Sequence, residues 1–162
     1  MNRTQTQPGF TLIEVLITVV IFGVGVLGVA GLNLSGQKTN QKAYQNLLAT
    51  WKAQELVEMI RANPANAASF LKSYTDVPSG ASDCAANSCS STAIASYDLQ
   101  SWHGSLGDAL PATTQGAVYS SGGDYVVYVI WDSRSDGQSC QISEHSGSPT
   151  LLLACVQMEF SL

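Results

Sequence analysis

The sequence is poor in charge, and it contains no proline between residues 10 and 63. Only 12 % of its 162 residues are charged, about half the usual share for a soluble protein. Basic residues are the scarcer kind, with seven Lys and Arg against twelve Asp and Glu and a net charge of −5. This balance argues against binding to nucleic acid, because nucleic-acid-binding proteins normally present a basic face. The length predicts one domain.

Motifs of enzyme catalysis and of common metal sites are also absent. The sequence has no G-x-S-x-G, no H-E-x-x-H and no phosphate-binding glycine loop. The C-x4-C and C-x14-C spacings match no common zinc pattern, although His103 and His145 are available as ligands. The spacing of Asp124, Asp132 and Asp136 is not that of an EF-hand, which favours a solvated acidic surface over a calcium site. We therefore predict no catalytic residue, no metal and no cofactor.

What the sequence does have is one long apolar segment near its start. Residues 10–34 read FTLIEVLITVVIFGVGVLGVAGLNL, with Glu14 as the single charge. The 20 residues from Val15 to Leu34 are uncharged, which matches the roughly 20 residues of a membrane-spanning helix. A buried core helix is the alternative, but a small soluble chain seldom holds so long an all-round apolar run. We predict a transmembrane span over residues 12–34.

The apolar segment continues without a break into an amphipathic one. Large apolar residues recur there at intervals close to the helical period. They are Tyr44, Leu47, Leu48, Trp51, Leu56, Met59 and Ile60. Asn63-Pro64 ends the pattern, because a residue before proline is pushed out of the α region. One helix over residues 10–62 is predicted, with its second half against a head domain of residues 63–162.

The head has the composition of a small β-rich domain. From Tyr74 onward it contains nine acidic residues and one basic residue. Its clearest strand is 124–131, rich in β-branched and aromatic residues, and the turn signal Gly122-Gly123 joins it to a strand at 117–120.

Two further strands are predicted, at residues 138–143 and 151–161, the second with a period of two in its apolar residues. Four antiparallel strands packed on half of the long helix give an α+β fold. Residues 63–115 are predicted to be a long, mostly irregular connection.

Two simple explanations of the N-terminal segment are an ordinary secretory signal and an uncleaved membrane anchor, and neither accounts for Glu14. An ordinary secretory signal would be cut after Gly28-Val29-Ala30. A carboxylate within such an apolar core costs about 2.5 to 3.5 kcal/mol, which argues against this explanation. An uncleaved membrane anchor explains the span but gives Glu14 no role.

The motif Gly9-Phe10-Thr11-Leu12-Ile13-Glu14, followed by the apolar run, resembles the cleavage signature of type IV pilins and their secretion-system relatives. The resemblance implies the pilin fold and a leader peptide of residues 1–9. It also implies cleavage between Gly9 and Phe10 by a prepilin peptidase, and N-methylation of Phe10. The protein would be anchored in the inner membrane with its head in the periplasm, and would then enter a pilus at the cell surface.

Cleavage at this point would give Glu14 a partner. The new α-amine of Phe10 lies four residues before Glu14, so both groups fall on one face of a helix. The same pair can form between the Phe10 amine of one subunit and Glu14 of its neighbour. Removing one member of a buried pair costs about 3 to 5 kcal/mol, so the pair would fix the register of stacked helices. Glu14 is therefore the predicted subunit-docking carboxylate.

Outside the cytoplasm the four cysteines are expected to be oxidised. Four cysteines allow three connectivities, and proximity in sequence favours Cys84–Cys89 and Cys140–Cys155. The second bridge would close a loop of about 15 residues, which the chain-entropy model associates with about 3 kcal/mol of stability.

Further motifs resemble those of PilV-type minor pilins. They are Arg61-Ala-Asn-Pro-Ala65, Tyr97-Asp-Leu-x-x-Trp102 with Leu106 and Leu110-Pro111, Tyr125-x-Val-x-Val-x-Trp131, the two cysteine pairs and the glycine-rich segment 23–31. The resemblance implies a structural subunit of the pilus tip or priming complex, without enzymatic activity. Its partners would be other minor and major pilins, the inner-membrane assembly machinery and a large tip adhesin. A minor pseudopilin of type II secretion and a membrane-anchored periplasmic binding module or enzyme are the alternatives.

Overall fold

The computed structural model describes residues 9–131 and 154–162. The elements in chain order are α1 (Leu12–Ala62), a 3-10 segment (Pro64–Phe70), α2 (Ser91–Ala109), β1 (Gln115–Ser121), β2 (Asp124–Trp131) and β3 (Ala154–Ser161). Contacts divide the chain into two units between Ala43 and Tyr44, and α1 contributes to both. The chain therefore has the predicted α+β architecture, with a long N-terminal helix and an antiparallel sheet in the head.

Helix α1 has 51 residues and begins within two residues of the predicted start. Glu14 in its first turn and Arg61 in its last turn both complement the helix dipole. At the C-terminal end the Asn63 N–H donates to the Ile60 carbonyl at 3.1 Å. Pro64 then follows at the first position of the 3-10 segment, where it needs no hydrogen-bond partner. Asn63-Pro64 ends the helix as predicted.

The N-terminal unit is the first part of α1, and its large apolar side chains are exposed. By length and composition α1 can cross a membrane, and none of its most apolar window is buried. Thr18 is polar within that window, but its hydroxyl donates to the Val15 carbonyl at 2.8 Å. This bond satisfies the hydroxyl without help from water, as a lipid environment requires.

The second unit contains the sheet, in which the strand order is β1-β2-β3 and both pairs are antiparallel. Gly122 and Gly123 connect β1 to β2 with φ values of 64° and 100°. A two-residue hairpin turn with positive φ at both positions has the type I′ geometry, which glycine adopts without strain. The predicted hairpin is thus confirmed.

The predicted alternation of β3 is confirmed in the described sheet. Val156, Met158 and Phe160 pack against the main core, whereas Gln157 and Glu159 are exposed. The described residues supply three strands, and the fourth predicted strand, at 138–143, lies outside them.

The core lies between α1, α2 and one face of the sheet. The residues that α1 buries are Ala49, Ala53, Leu56, Val57 and Ile60. The expectation that the large residues Tyr44, Leu47 and Trp51 would also pack on the head is wrong, because all three are exposed. The small side chains of Ala49 and Ala53 face the head instead.

Helix α2 corrects the prediction of an irregular connection over residues 63–115. The Ser90 side chain caps the helix by accepting from the Ala93 N–H at 3.3 Å. The buried side chains follow the helical period, and they are Ala95, Leu99, Trp102 and Leu106. Composition was misleading here, because none of the Ser, Gly and Asp residues of the helix takes one of its four buried positions.

Candidate processing and assembly site

The Gly9–Phe10 peptide precedes α1 and lies outside regular structure. Both residues are exposed, and the Phe10 side chain retains 85 % of its accessible surface. A Cβ added at Gly9 would meet no atom within 4 Å. This peptide bond therefore lies in an exposed segment outside regular structure.

The first turn of α1 places Glu14 close to this peptide. The Thr11 carbonyl accepts from the Glu14 N–H at 3.1 Å and from the Val15 N–H at 3.3 Å. Glu14 is exposed, and Phe10 lies just before the helix rather than in it. The pairing of the Phe10 amine with Glu14 stays a prediction, because that amine is released only when the Gly9–Phe10 peptide is cut.

One of the two predicted disulfides lies within the described residues. Cys84 and Cys89 are bonded, with Cα atoms 5.6 Å apart, and the bridge closes a small loop before α2. Cys155 in β3 is not a free thiol. Cys140 lies outside the described residues, so the Cys140–Cys155 bridge stays a prediction.

His103 is one of the two histidines that were available as metal ligands. It lies on α2, and its Nε2 is 3.1 Å from Oε1 of Gln115 at the start of β1. Burial lowers the pKa of His103, which favours the neutral ring. Residues 9–131 and 154–162 contain no group of three His, Cys, Asp or Glu that could hold a metal. His145, Asp132 and Asp136 lie outside them.

No pattern in the sequence indicates that Lys72 is buried. Its Nζ donates to the carbonyls of Gly116 at 2.6 Å and Ser73 at 3.1 Å. Its main chain also bridges to Val118 of β1 through two hydrogen bonds. Burial lowers the pKa of Lys72 to about 8, although the charge of Asp76 acts in the opposite direction. Lys72 attaches the segment after the 3-10 helix to the sheet, and it is not part of the processing site.

The apolar helix and the small α+β head agree with a membrane-anchored protein. Comparison with known protein families gives two matches. The model of the prokaryotic N-terminal methylation motif matches residues 5–30, and the type IV pilin model Tt1218-like matches residues 31–100. The two matches together cover residues 5–100 and support a type IV pilin. No curated protein and no solved structure gives a significant match.

These matches bear on the activity, the processing and the location of the chain. Pilins are structural proteins rather than enzymes. The methylation motif implies processing by a prepilin peptidase and assembly into a pilus with other pilins. Before assembly, the apolar helix anchors the protein in the inner membrane.

Proposed function

We propose that this pilin is a minor subunit of PilV type, which acts in the priming complex and at the tip of the pilus. In this role it promotes assembly by the inner-membrane machinery, in contact with other minor pilins and the major pilin, and helps to present a large tip adhesin. It has no enzymatic activity of its own.

The observation that carries this proposal is the structural role of the residues that resemble the PilV type. Trp102, Leu106 and Leu110 are buried together in the core. Trp131 at the end of β2 is buried in the same core. Asn63, from the motif that ends α1, donates through its side chain to the Ser91 carbonyl at 2.7 Å. The shared motifs therefore belong to one packing scheme that joins α1, α2 and the sheet, which supports a common head fold.

Helix α1 supplies a second argument. It contains no proline over its whole length, whereas major pilins usually carry one in the region that corresponds to residues 23–31. A minor role agrees with this difference.

The proposed processing rests on the N-terminal motif, and the exposure of Gly9 and Phe10 supports it. The peptidase cuts between Gly9 and Phe10 and so removes the leader of residues 1–9, and the new amine of Phe10 is methylated. In the pilus, Glu14 pairs with the Phe10 amine of a neighbouring subunit, because neither charge is stable alone in an apolar surrounding. Residues 12–34 span the membrane before assembly, and residues 63–162 form the periplasmic head.

A tagged chain expressed at its native level tests the proposal. We expect it in sheared surface pili in small amounts relative to the major subunit, and we expect deletion of the gene to reduce the number of pili. If deletion instead abolished protein secretion and left pili unchanged, the protein would be a pseudopilin. If it affected neither process, the protein would be a membrane-anchored periplasmic module.

A further inference from the structure

Two lysines follow the apolar run on α1, and both belong to the first of the two units. Leu34 is the last residue of the uncharged run, and Lys38 and Lys42 come four and eight residues after it. Helix α1 is continuous through this region, and residues four apart lie on the same side of a helix. We call Lys38 and Lys42 the basic pair.

The basic pair has no carboxylate near it on its own helix. The sequence contains no Asp or Glu between Glu14 and Glu55. The two basic residues further along α1 are matched instead, because Lys52 Nζ lies 2.8 Å from Glu55 Oε2 and Arg61 Nη1 lies 3.2 Å from Glu58 Oε1. Charge on α1 is therefore balanced within one turn in the second unit and left positive beside the apolar run.

The position of the basic pair along α1 corresponds to the polar layer of a bilayer. The 20 uncharged residues from Val15 to Leu34 rise about 30 Å, the thickness of the hydrocarbon core. Lys38 then lies about 6 Å beyond the core, and Lys42 about 12 Å beyond it. The polar layer on each side of a bilayer is about 5 to 8 Å thick. The backbone of Lys38 falls within this layer, and that of Lys42 lies just outside it.

Both lysine side chains start in the direction of the apolar run. In an α-helix each Cα–Cβ bond is tilted toward the N-terminus of the helix, which here is the side of the membrane span. A lysine stem can follow the helix back while its ammonium group stays among the headgroups. Lys38 is exposed and Lys42 is half-buried, so Lys38 is the more accessible of the two cations.

We propose that the basic pair binds the phosphate groups of anionic phospholipids, in the leaflet that faces the head, while the chain is anchored in the inner membrane. Each lysine beside an anionic lipid surface favours binding about fivefold, and two ammonium groups on one side of a helix engage neighbouring headgroups together. This contact sets the depth of the span and retains the subunit at that leaflet before assembly. The inference rests on the membrane span and not on a role at the pilus tip.

A carboxylate of a second protein is the competing anion for the basic pair. Around an anchored helix, phosphate groups are present on every side at the depth of Lys38, because lipid surrounds the span. A carboxylate would have to be brought to this depth by a partner. The location within the polar layer therefore favours lipid phosphate as the ligand.

Lipid titration followed by native mass spectrometry tests the proposal. The full-length chain is purified in detergent, and phosphatidylglycerol or phosphatidylcholine with the same acyl chains is added. We expect the wild type to bind the anionic lipid about tenfold or more tightly than the zwitterionic one. Equal affinity for the two lipids would overturn the proposal and would assign the basic pair to a protein contact.

Variants of the basic pair locate the lipid preference. Lys38→Gln combined with Lys42→Gln should remove it, and the corresponding double arginine variant should retain it because the charges remain. Lys38→Gln alone should lower it more than Lys42→Gln alone. Lys52→Gln is the matched control, since Lys52 lies on the same helix but about 27 Å beyond Leu34, and it should keep the wild-type preference. An unchanged preference in the double glutamine variant would refute the assignment.

A gain of binding separates the proposal from any effect on folding. Ser35→Lys places a third cation on the same side of α1, three residues before Lys38, and should raise the preference for phosphatidylglycerol about fivefold. No gain from this variant would count against a role of charge at this depth. Millimolar inorganic phosphate at constant ionic strength should leave phosphatidylglycerol binding unchanged. Full competition by it would show a site for free phosphate and would overturn the choice of a lipid ligand.

Discussion

Trp102 Nε1 donates a hydrogen bond of 2.7 Å to the main-chain carbonyl of Lys52. The same indole ring lies directly over Gly116 of β1, where no side chain separates the two. One residue of α2 therefore holds α1 on one side and the sheet on the other. A buried tryptophan is well suited to this role because it offers both a large apolar surface and one N–H donor.

This arrangement predicts a large penalty for Gly116→Ala. The added Cβ would overlap the Trp102 ring, so the ring or β1 has to move. We expect the variant to lose about 1 to 3 kcal/mol of unfolding free energy. The measurement is urea denaturation of the detergent-solubilised chain, followed by tryptophan fluorescence.

Gly107→Ala is the matched control. Gly107 also lies in the second unit, on α2, and a Cβ there meets open space. Because alanine has the higher helix propensity, this variant should gain up to about 1 kcal/mol. Equal stabilities of the two variants would contradict the close packing of Trp102 on Gly116.

The low pKa of Lys72 predicts that the unfolding free energy depends on pH in the alkaline range. Burial lowers its pKa from 10.5 to about 8, so between these values the folded chain has released a proton that the unfolded chain still binds. The unfolding free energy therefore rises with pH over this range. Urea denaturation at several pH values from 7 to 10.5 should show this contribution as a difference between wild type and Lys72→Met.

The variant removes the titrating amine but keeps an apolar side chain of similar length. Its stability should lack the rise that Lys72 provides, while the other titrating groups act equally in both proteins. Parallel pH profiles for the two proteins would contradict the low pKa of Lys72.

Glu14→Val is expected to separate insertion from assembly. The substitution removes the only charge from residues 10–34, so membrane insertion should be normal or better. Incorporation into pili should fall strongly, because the Phe10 amine of the neighbouring subunit loses its partner. Quantitative immunoblots of membranes and of sheared pili measure both quantities. Glu14→Asp, which keeps the charge, serves as the control, and full incorporation of Glu14→Val would refute the docking role.

The mature N-terminus is a direct measure of processing. Intact-mass and N-terminal peptide analysis of the chain from pili should show N-methylated Phe10 as the first residue. A chain that begins at Met1 or at Gly31 would contradict prepilin cleavage, since those starts correspond to an uncleaved anchor and to an ordinary signal peptide.

The cysteine connectivity is testable by non-reducing proteolysis and mass spectrometry. We expect a peptide pair that contains the Cys84–Cys89 bridge and a second pair that joins Cys140 to Cys155. Reduction should release both pairs. Any product that links Cys84 or Cys89 to Cys140 would contradict the assignment.

Several elements were predictable because their signals are local. Asn63-Pro64 ends α1 through the steric effect of proline on the residue before it, and Gly122-Gly123 forms a turn that few other residues can adopt. The alternation in β3 follows from the geometry of a strand with one buried face. The processing motif is equally local, since a peptidase reads a short exposed segment.

Other elements depended on what the chain packs against. In α2 the helical spacing of Leu99, Trp102 and Leu106 is present in the sequence. The many Ser, Gly and Asp residues around them are typical of a loop, so only the packing of these side chains in the core identifies the segment as a helix. The role of Gly116 was not readable either, because it depends on an indole fourteen residues earlier in the chain.

The sequence by itself determined the long helix, its apolar first half, the Gly9–Phe10 processing motif and the antiparallel hairpin. Each of these follows from interactions between residues that are close in sequence. Only the tertiary structure decided which face of α1 is buried. Ala49 and Ala53 allow the head to approach closely, so the larger Tyr44 and Trp51 remain at the surface. Hydrophobicity identifies the residues that favour burial, but shape complementarity decides which of them the chain's own head can cover.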